Sequence, residues 1–324
     1  LASSVTARAC PNIALVKYWG KRSIEDNLPC RDSVAVVLDR YATQARVTRH
    51  PGGQVRVLCD GRLMIEEHAA PIRRIVCLAV PEGGVCVDLR PGLPPGIGFA
   101  QSAATYAALA SALGHLTGAT GAQIMEWARR GSGSAVRSLV GGISLWRAGH
   151  RTDGGDCVVE EAFDASYWPD LRMVLVQLES APKTFSSRSG MIRCAESSPL
   201  FNGWLKECER HLPLVLRAYS DRDFHELGSV SDADWRAMHD ACEASSPPLI
   251  YRSDETNRLL SAMAEWSLEH PVFATLDAGP NPVLFTLEAH LDPLCQEIAR
   301  RFPLAVLRRA AVGTGPEITE VIRG

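Results

Sequence analysis

Residues 91–113 read PGLPPGIGFAQSAATYAALASAL, a Gly/Pro-rich loop that runs into an alanine-rich segment. Ala is the best helix former, and Ser102 to Leu113 contains neither Gly nor Pro, so a helix is expected to begin near Ser102. The first turn of a helix leaves N–H groups unpaired and carries partial positive charge. Glycines such as Gly96 and Gly98 let the backbone come close to a ligand, so the stretch can cradle a phosphate. Taken alone, such a loop is more often simply a turn. Its spacing is not that of a Walker loop, and no strand–turn–helix with a downstream acid supports a dinucleotide fingerprint.

Upstream of this loop the chain reads as short strands. Ile13 to Val16 is apolar, Gln44 to Thr48 alternates, and Val55 to Leu58 and Leu63 to Ile65 flank the turn-forming Asp60-Gly61. Val85, Val87 and Leu89 mark another half-buried strand. Downstream, a Gly/Ser cluster at 129–138 leads through Gly141-Gly142 to an apolar strand, Ile143 to Trp146. Beyond about residue 168 a strand at 173–178 is followed by helical segments around 200–218, 233–245 and 254–269. Strands at 272–276 and 283–287, a helix at 290–302 and a strand at 304–312 complete the reading. Strands sharing a unit with segregated helices give an α+β expectation, divided as residues 1–168 and 169–324.

The bulk composition excludes several classes. With 46% hydrophobic and 22% charged residues, the 324-residue chain is neither disordered, collagen-like nor a coiled-coil rod. A formal charge of −3 provides no global attraction for nucleic acid or anionic lipid, so any bound anion needs a local cluster. The stretch between Arg90 and Glu126 has no charged side chain, but Gly, Pro, Ser and Thr interrupt it too often for a membrane span. The first residues lack the basic start and long apolar run of a signal peptide. Ten cysteines are spread along the chain without a C-x-x-C pair, which favours reduced, mostly buried thiols in a cytoplasmic protein over a disulfide scaffold or a zinc site.

Three further groups carry possible chemistry. Ser132, Ser134 and Arg137 place two hydroxyls and a guanidinium within six residues, and a guanidinium can grip carboxylate or phosphate through two parallel hydrogen bonds. Lys17, Tyr18 and Lys21 follow the first apolar strand, either as a solvated strand end or as a second anion clamp. Asp277 follows the strand at 272–276 inside Asp-Ala-Gly-Pro-Asn; it can cap its own turn or orient and deprotonate a hydroxyl in a cleft. His115, His225 and His239 receive no role, because a lone histidine is more often structural.

Together these words resemble the mevalonate diphosphate decarboxylase family of the GHMP kinase superfamily. The matching segments are NIALVKYWGKR from Asn12 to Arg22, RRGSGSAVRSL from Arg129 to Leu139, SSRSGM from Ser186 to Met191, SSPLF from Ser197 to Phe201 and DAGPN from Asp277 to Asn281. A weaker match covers Phe224-His-Glu-Leu, His239 and Pro247-Pro248, and the whole likeness runs from about residue 8 to 288. It implies a GHMP kinase-like fold: a ribosomal protein S5 domain 2-like N-terminal domain and a ferredoxin-like C-terminal domain, with the site between them. It implies phosphorylation of the 3-hydroxyl of mevalonate 5-diphosphate by ATP with Mg²⁺, then loss of phosphate and CO₂ to give isopentenyl diphosphate. By the same match Asp277 would act on the 3-hydroxyl, Arg137 would hold the C1 carboxylate, and Lys17 would place positive charge near the transferring phosphoryl group. Tyr18, Lys21, Ser134 and Arg188 would grip the 5-diphosphate with Ser132 beside them, and Gly98, Gln101 and Ser102 would meet ATP. A homodimer is implied by family likeness, and no metal ligand is assigned.

Three departures from the family pattern stand out. The phosphate loop, usually G-L-A-S-S-A-A-G, is Gly98-Phe-Ala-Gln-Ser-Ala-Ala-Thr105; Ser102 keeps the phosphate-contacting hydroxyl, while Gln101 would have to donate through its amide. The usual Asn-Ser-Ser is Arg31-Asp32-Ser33, adding charges expected near the cleft. Ala9-Cys-Pro-Asn12 shifts a proline by one place, a change in strand entry only. The charges at Arg31 and Asp32 motivate an alternative substrate, mevalonate 5-phosphate, or a 3-kinase that does not decarboxylate. The altered loop motivates a non-catalytic ligand-binding paralogue.

Overall fold

A computed structural model describes residues 2–94, 97–180 and 185–323; Gly96 of the expected phosphate loop lies outside the described residues. The chain begins β1 (Ala2–Ala9), β2 (Asn12–Val16), β3 (Lys21–Ser23), β4 (Leu28–Pro29), β5 (Ser33–Val37), β6 (Thr43–His50), β7 (Val55–Cys59) and β8 (Arg62–Leu63). It continues α1 (Glu66–Ala79), β9 (Gly84–Arg90), α2 (Gln101–Thr117), α3 (Gly121–Gly131), a 3-10 turn (Gly133–Leu139), β10 (Ile143–Trp146) and β11 (Val159–Phe163). The second half runs β12 (Leu171–Gln177), α4 (Ser187–Ser197), α5 (Phe201–Asp221), α6 (Phe224–Glu243), α7 (Asp254–Trp266), β13 (Val272–Thr275), β14 (Val283–Leu287), α8 (Glu288–Arg301), β15 (Val306–Ala311) and β16 (Glu317–Arg323).

Three larger sheets form, ordered β16-β1-β6-β9-β7-β8, β11-β10-β5-β2 and β13-β14-β12-β15. In β6, Ala45 and Val47 are buried while Gln44 and Arg46 point outward, as alternation requires of a sheet covered on one face. The strands β2 (NIALV) and β5 (SVAVV) are buried at every position, because both faces of their sheet are covered. The helix α2 is buried almost all round; its alanines allow strands and neighbouring helices to approach closely. One hydrophobic cluster runs from Ile13, Leu15 and Val34 in the first half to Leu175, Tyr219 and Phe285 in the second.

Several elements depart from the sequence reading. The expected unit 169–324 does not keep its last strand: β16 pairs antiparallel with β1 and extends the first sheet. This covers an edge of β1 that would otherwise present unpaired backbone groups. The helix α1 went unread because Pro71 and a run of charged residues mask its stripe of Ala69, Ile72, Ile75 and Val76. The helix α3 was not read from the sequence: it lies between Gly121 and the Gly/Ser cluster, into which its last turn runs, although Thr120 and Gln123 form the capping box that starts it. The helix α6 begins at Phe224 rather than 233 and accommodates Gly228 internally, since a Cβ there would lie 2.8 Å from Phe273.

Candidate active site

The ends of β2 and β13, the loop before α2, the end of α3 with the following turn, and the start of α4 surround one cavity of about 390 Å³. All eleven residues to which the resemblance assigns a role line it: Lys17, Tyr18, Lys21, Gly98, Gln101, Ser102, Ser132, Ser134, Arg137, Arg188 and Asp277. Lys17, Lys21, Arg137 and Arg188 bring four cations to its walls, against Asp277 as the one carboxylate among the described lining residues.

At the deep end, the Lys17 ammonium donates to Asp277 Oδ1 at 2.7 Å and to the Ala14 carbonyl at 3.0 Å. The Lys17 side chain is 2% exposed and that of Asp277 31%, so the pair presents its carboxylate to the cavity. Burial pushes the Lys17 pKa down, and the carboxylates of Asp277 and Asp234 pull it back up. Arg137 is also buried; its Nε donates to Asn12 Oδ1 at 3.0 Å and its Nη1 to Ser33 Oγ at 3.0 Å. These neutral partners fix the guanidinium without cancelling its charge. Burial lowers its pKa to about 10, opposed by the nearby Asp277 carboxylate, so it stays charged at neutral pH.

The shallower end is organised by Asn27, a residue the sequence reading missed. Its amide donates to the carbonyls of Arg129 and Arg130, so its Oδ1 must face the other way. That oxygen accepts Lys21 Nζ at 2.6 Å and Arg188 Nη2 at 3.2 Å. Two cations thus share one neutral acceptor. Lys21 is lowered to about 8, first by burial and then by Arg188. Arg188 sits in the first turn of α4, whose start is capped by the Ser186 hydroxyl accepting the Ser189 N–H.

The glycines of the Gly-Ser-Gly-Ser run have a steric reason. A Cβ on Gly131 would lie 2.1 Å from the Tyr106 ring, and one on Gly133 would lie 2.3 Å from the Tyr18 hydroxyl. Their absence lets both aromatic rings reach the cavity wall. The Tyr18 hydroxyl is buried without a partner among the described residues, and burial raises its pKa, so it stays a phenol able to donate. Ser102, Ser132 and Ser134 form a hydroxyl row with separations of 3.4 and 3.3 Å, joining the first turn of α2 to the Gly/Ser turn after α3.

Two expectations need correcting. Gln101 borders the cavity, but its amide is committed elsewhere: Nε2 donates to Thr43 at 2.6 Å and to Thr105 at 3.4 Å, while Oε1 accepts the Leu93 N–H. The two altered loop positions, Gln101 and Thr105, are one turn apart and touch each other. Arg31 and Asp32 are not on the cavity; Arg31 pairs with Glu209 at 2.9 Å and Asp32 with Arg147 at 3.2 Å. The neighbouring Ser33 is the useful residue, since it holds Arg137. Asn12 was quoted only as part of a motif, yet it links Arg137 to the Ser134 carbonyl and the Ser138 hydroxyl.

Comparison with known proteins agrees along the length of the chain. The diphosphomevalonate decarboxylase-like N-terminal domain matches residues 9–159, and the mevalonate 5-diphosphate decarboxylase C-terminal domain matches 173–319. The diphosphomevalonate decarboxylase of Bos taurus is 32% identical over 92% of this chain and 80% of its own length. A structure of MDDEF in complex with MVAPP, AMPPCP and magnesium is 31% identical with a TM-score of 0.91, over 99% of this chain and 100% of that one. The mevalonate diphosphate decarboxylase from Enterococcus faecalis is 30% identical with a TM-score of 0.89, again over 99% of this chain and 100% of that one.

Proposed function

The chain belongs to the diphosphomevalonate decarboxylase family, and on that premise we propose how its own residues divide the ATP-dependent decarboxylation of mevalonate 5-diphosphate. The reaction transfers the γ-phosphoryl group of ATP to the tertiary 3-hydroxyl. The new phosphate then leaves as the bond to the carboxylate breaks, giving CO₂ and the carbon–carbon double bond of isopentenyl diphosphate. The observation that carries the assignment is the cavity's charge: among the described lining residues four cations face a single carboxylate, in a chain that is slightly acidic as a whole.

Asp277 takes the 3-hydroxyl and receives its proton as the oxygen attacks phosphorus. Lys17 pairs with Asp277 and places positive charge beside the transferring group, where preorganised electrostatics contributes most. Arg137 grips the C1 carboxylate and aligns the bond that will break. Lys21 and Arg188, with the Tyr18 and Ser134 hydroxyls, hold the 5-diphosphate, and Ser132 adjoins them. The backbone at Gly98 and the Ser102 hydroxyl meet the ATP phosphates, with Gln101 bracing the loop.

Among the described residues no group of three His, Cys, Asp or Glu side chains could cage a metal. A magnesium ion would then be carried largely by the substrate phosphate oxygens and water, as is usual for this ion at phosphoryl-transfer sites. When bound, the ion neutralises phosphate charge and orients the transfer.

Arg31 and Asp32, the motive for a monophosphate substrate, are tied to surface partners away from the cavity, which leaves the diphosphate reading without that competitor. We extend the proposal to a homodimer, by family likeness, and to a cytoplasmic setting, supported by ten free cysteines. Among the described residues no helix is long and apolar enough to cross a membrane. Release of ADP and CO₂ from mevalonate 5-diphosphate, ATP and Mg²⁺ tests the activity; a folded sample that yields neither product overturns it.

A further inference from the structure

Lys17 and Asp277 come from opposite halves of the chain, each just past the end of a strand where the backbone is no longer held by a ladder. Their 2.7 Å contact therefore needs an external reference. The helix α6 packs against both β2 and β13. Asp234, wholly buried on α6, accepts the Lys17 backbone N–H on Oδ2 at 2.7 Å. Its other oxygen is occupied by His211 Nδ1 at 3.0 Å and the Cys208 thiol at 3.6 Å, both on α5. Five residues further along α6, His239 brings Nε2 to 3.2 Å from the Asp277 carbonyl oxygen. A carbonyl only accepts, so Nε2 carries the proton. The bare Nδ1 has no partner among the described residues, and burial pushes the imidazole down to about 3, keeping it neutral.

Positions five apart on a helix point about 140° away from each other, so Asp234 and His239 reach to different sides of α6. Each holds the main chain of one member of the pair rather than its reactive atoms, and neither lines the cavity. A third tie, from the Thr275 hydroxyl to the Ala14 carbonyl at 3.1 Å, joins β13 to the carbonyl that also receives Lys17 Nζ.

Resting on the proposed roles of Lys17 and Asp277, we propose that Asp234 and His239 are positioning residues, and that α6 is the bracket that sets the two halves of the reactive pair against each other. Displacing a reactive group by about 1 Å can cost ~100-fold in rate, so His239→Leu is expected to lower kcat by roughly 10–100-fold. The KM values for ATP and mevalonate 5-diphosphate should stay within about threefold, because the groups that bind them are untouched. His239→Gln, whose amide can still donate to the Asp277 carbonyl, should recover most of the rate. Asp234→Asn keeps an acceptor for the Lys17 N–H but removes a negative charge beside Lys17, which is otherwise faced by Asp277, Arg137 and His239. The alkaline limb of its kcat profile should therefore move to lower pH.

Full kcat in a folded His239→Leu protein would overturn the bracket. So would equal losses in the Leu and Gln variants, which would mark simple packing, or an Asp234→Asn profile that superimposes on the unsubstituted one. An inactive unsubstituted enzyme would instead sink the functional assignment.

Discussion

At the deep end of the cavity a buried lysine meets a carboxylate at 2.7 Å, and Arg137 is anchored by neutral partners. At the other end Lys21 and Arg188 converge on a single amide oxygen, with no carboxylate between them. The first arrangement is complete without a ligand. The second holds like charges together and is relieved only when an anion arrives. The contrast separates the work of reaction from the work of binding: rigid, paired groups belong to the step that makes and breaks bonds, and unpaired cations belong to the handle by which the substrate is held.

Substitutions should divide the same way. The largest loss is expected from Asp277→Asn, which removes the base while preserving shape; kcat should fall by ~10²–10⁴-fold with little change in substrate affinity, measured by steady-state kinetics and calorimetric titration. Arg137→Lys keeps a charge but not the planar fork, and should lower kcat by about 10²-fold, read from CO₂ release. At the other end Arg188→Ala should raise KM for the diphosphate roughly 10–100-fold, as expected for loss of a charge-assisted bond, while kcat changes little. A kcat loss there equal to that of Asp277→Asn would erase the distinction.

Lys21 provides a pH test. Burial and Arg188 lower it to about 8, so it is charged below that pH and loses its proton above. An anion prefers the charged form, so KM for mevalonate 5-diphosphate should climb as pH rises through 8. Lys21→Arg should flatten that climb, since a guanidinium stays protonated. The smallest effect belongs to Arg31→Ala: an exposed pair with Glu209 is worth about 0–1 kcal/mol, and turnover on either the mono- or the diphosphate should be unchanged.

The residues that reach the cavity were visible in the sequence because their types are unusual for their places: lysines at the end of an apolar strand, an acid in a turn after another, hydroxyls between glycines. The residues that aim them were not. Asn12, Asn27 and Ser33 are ordinary polar residues locally, and only the fold shows that their partners lie about a hundred residues away, as Arg137 and the carbonyls of Arg129 and Arg130 do. Gln101 illustrates the opposite error: its place in a phosphate loop suggested a ligand contact, but Thr43, brought alongside by β6, takes its amide. The α+β layering was readable from alternating and helical patterns, whereas β16 was missed because EITEVIR is exposed throughout and gains its place by pairing with β1.

The hydrophobic cluster from Ile13 and Val34 to Tyr219 and Phe285 also bears on how the molecule comes apart. Halves that bury their apolar faces in each other cannot melt one at a time without wetting the shared interior. Calorimetry should show a single cooperative endotherm, and neither half expressed alone should retain native side-chain order.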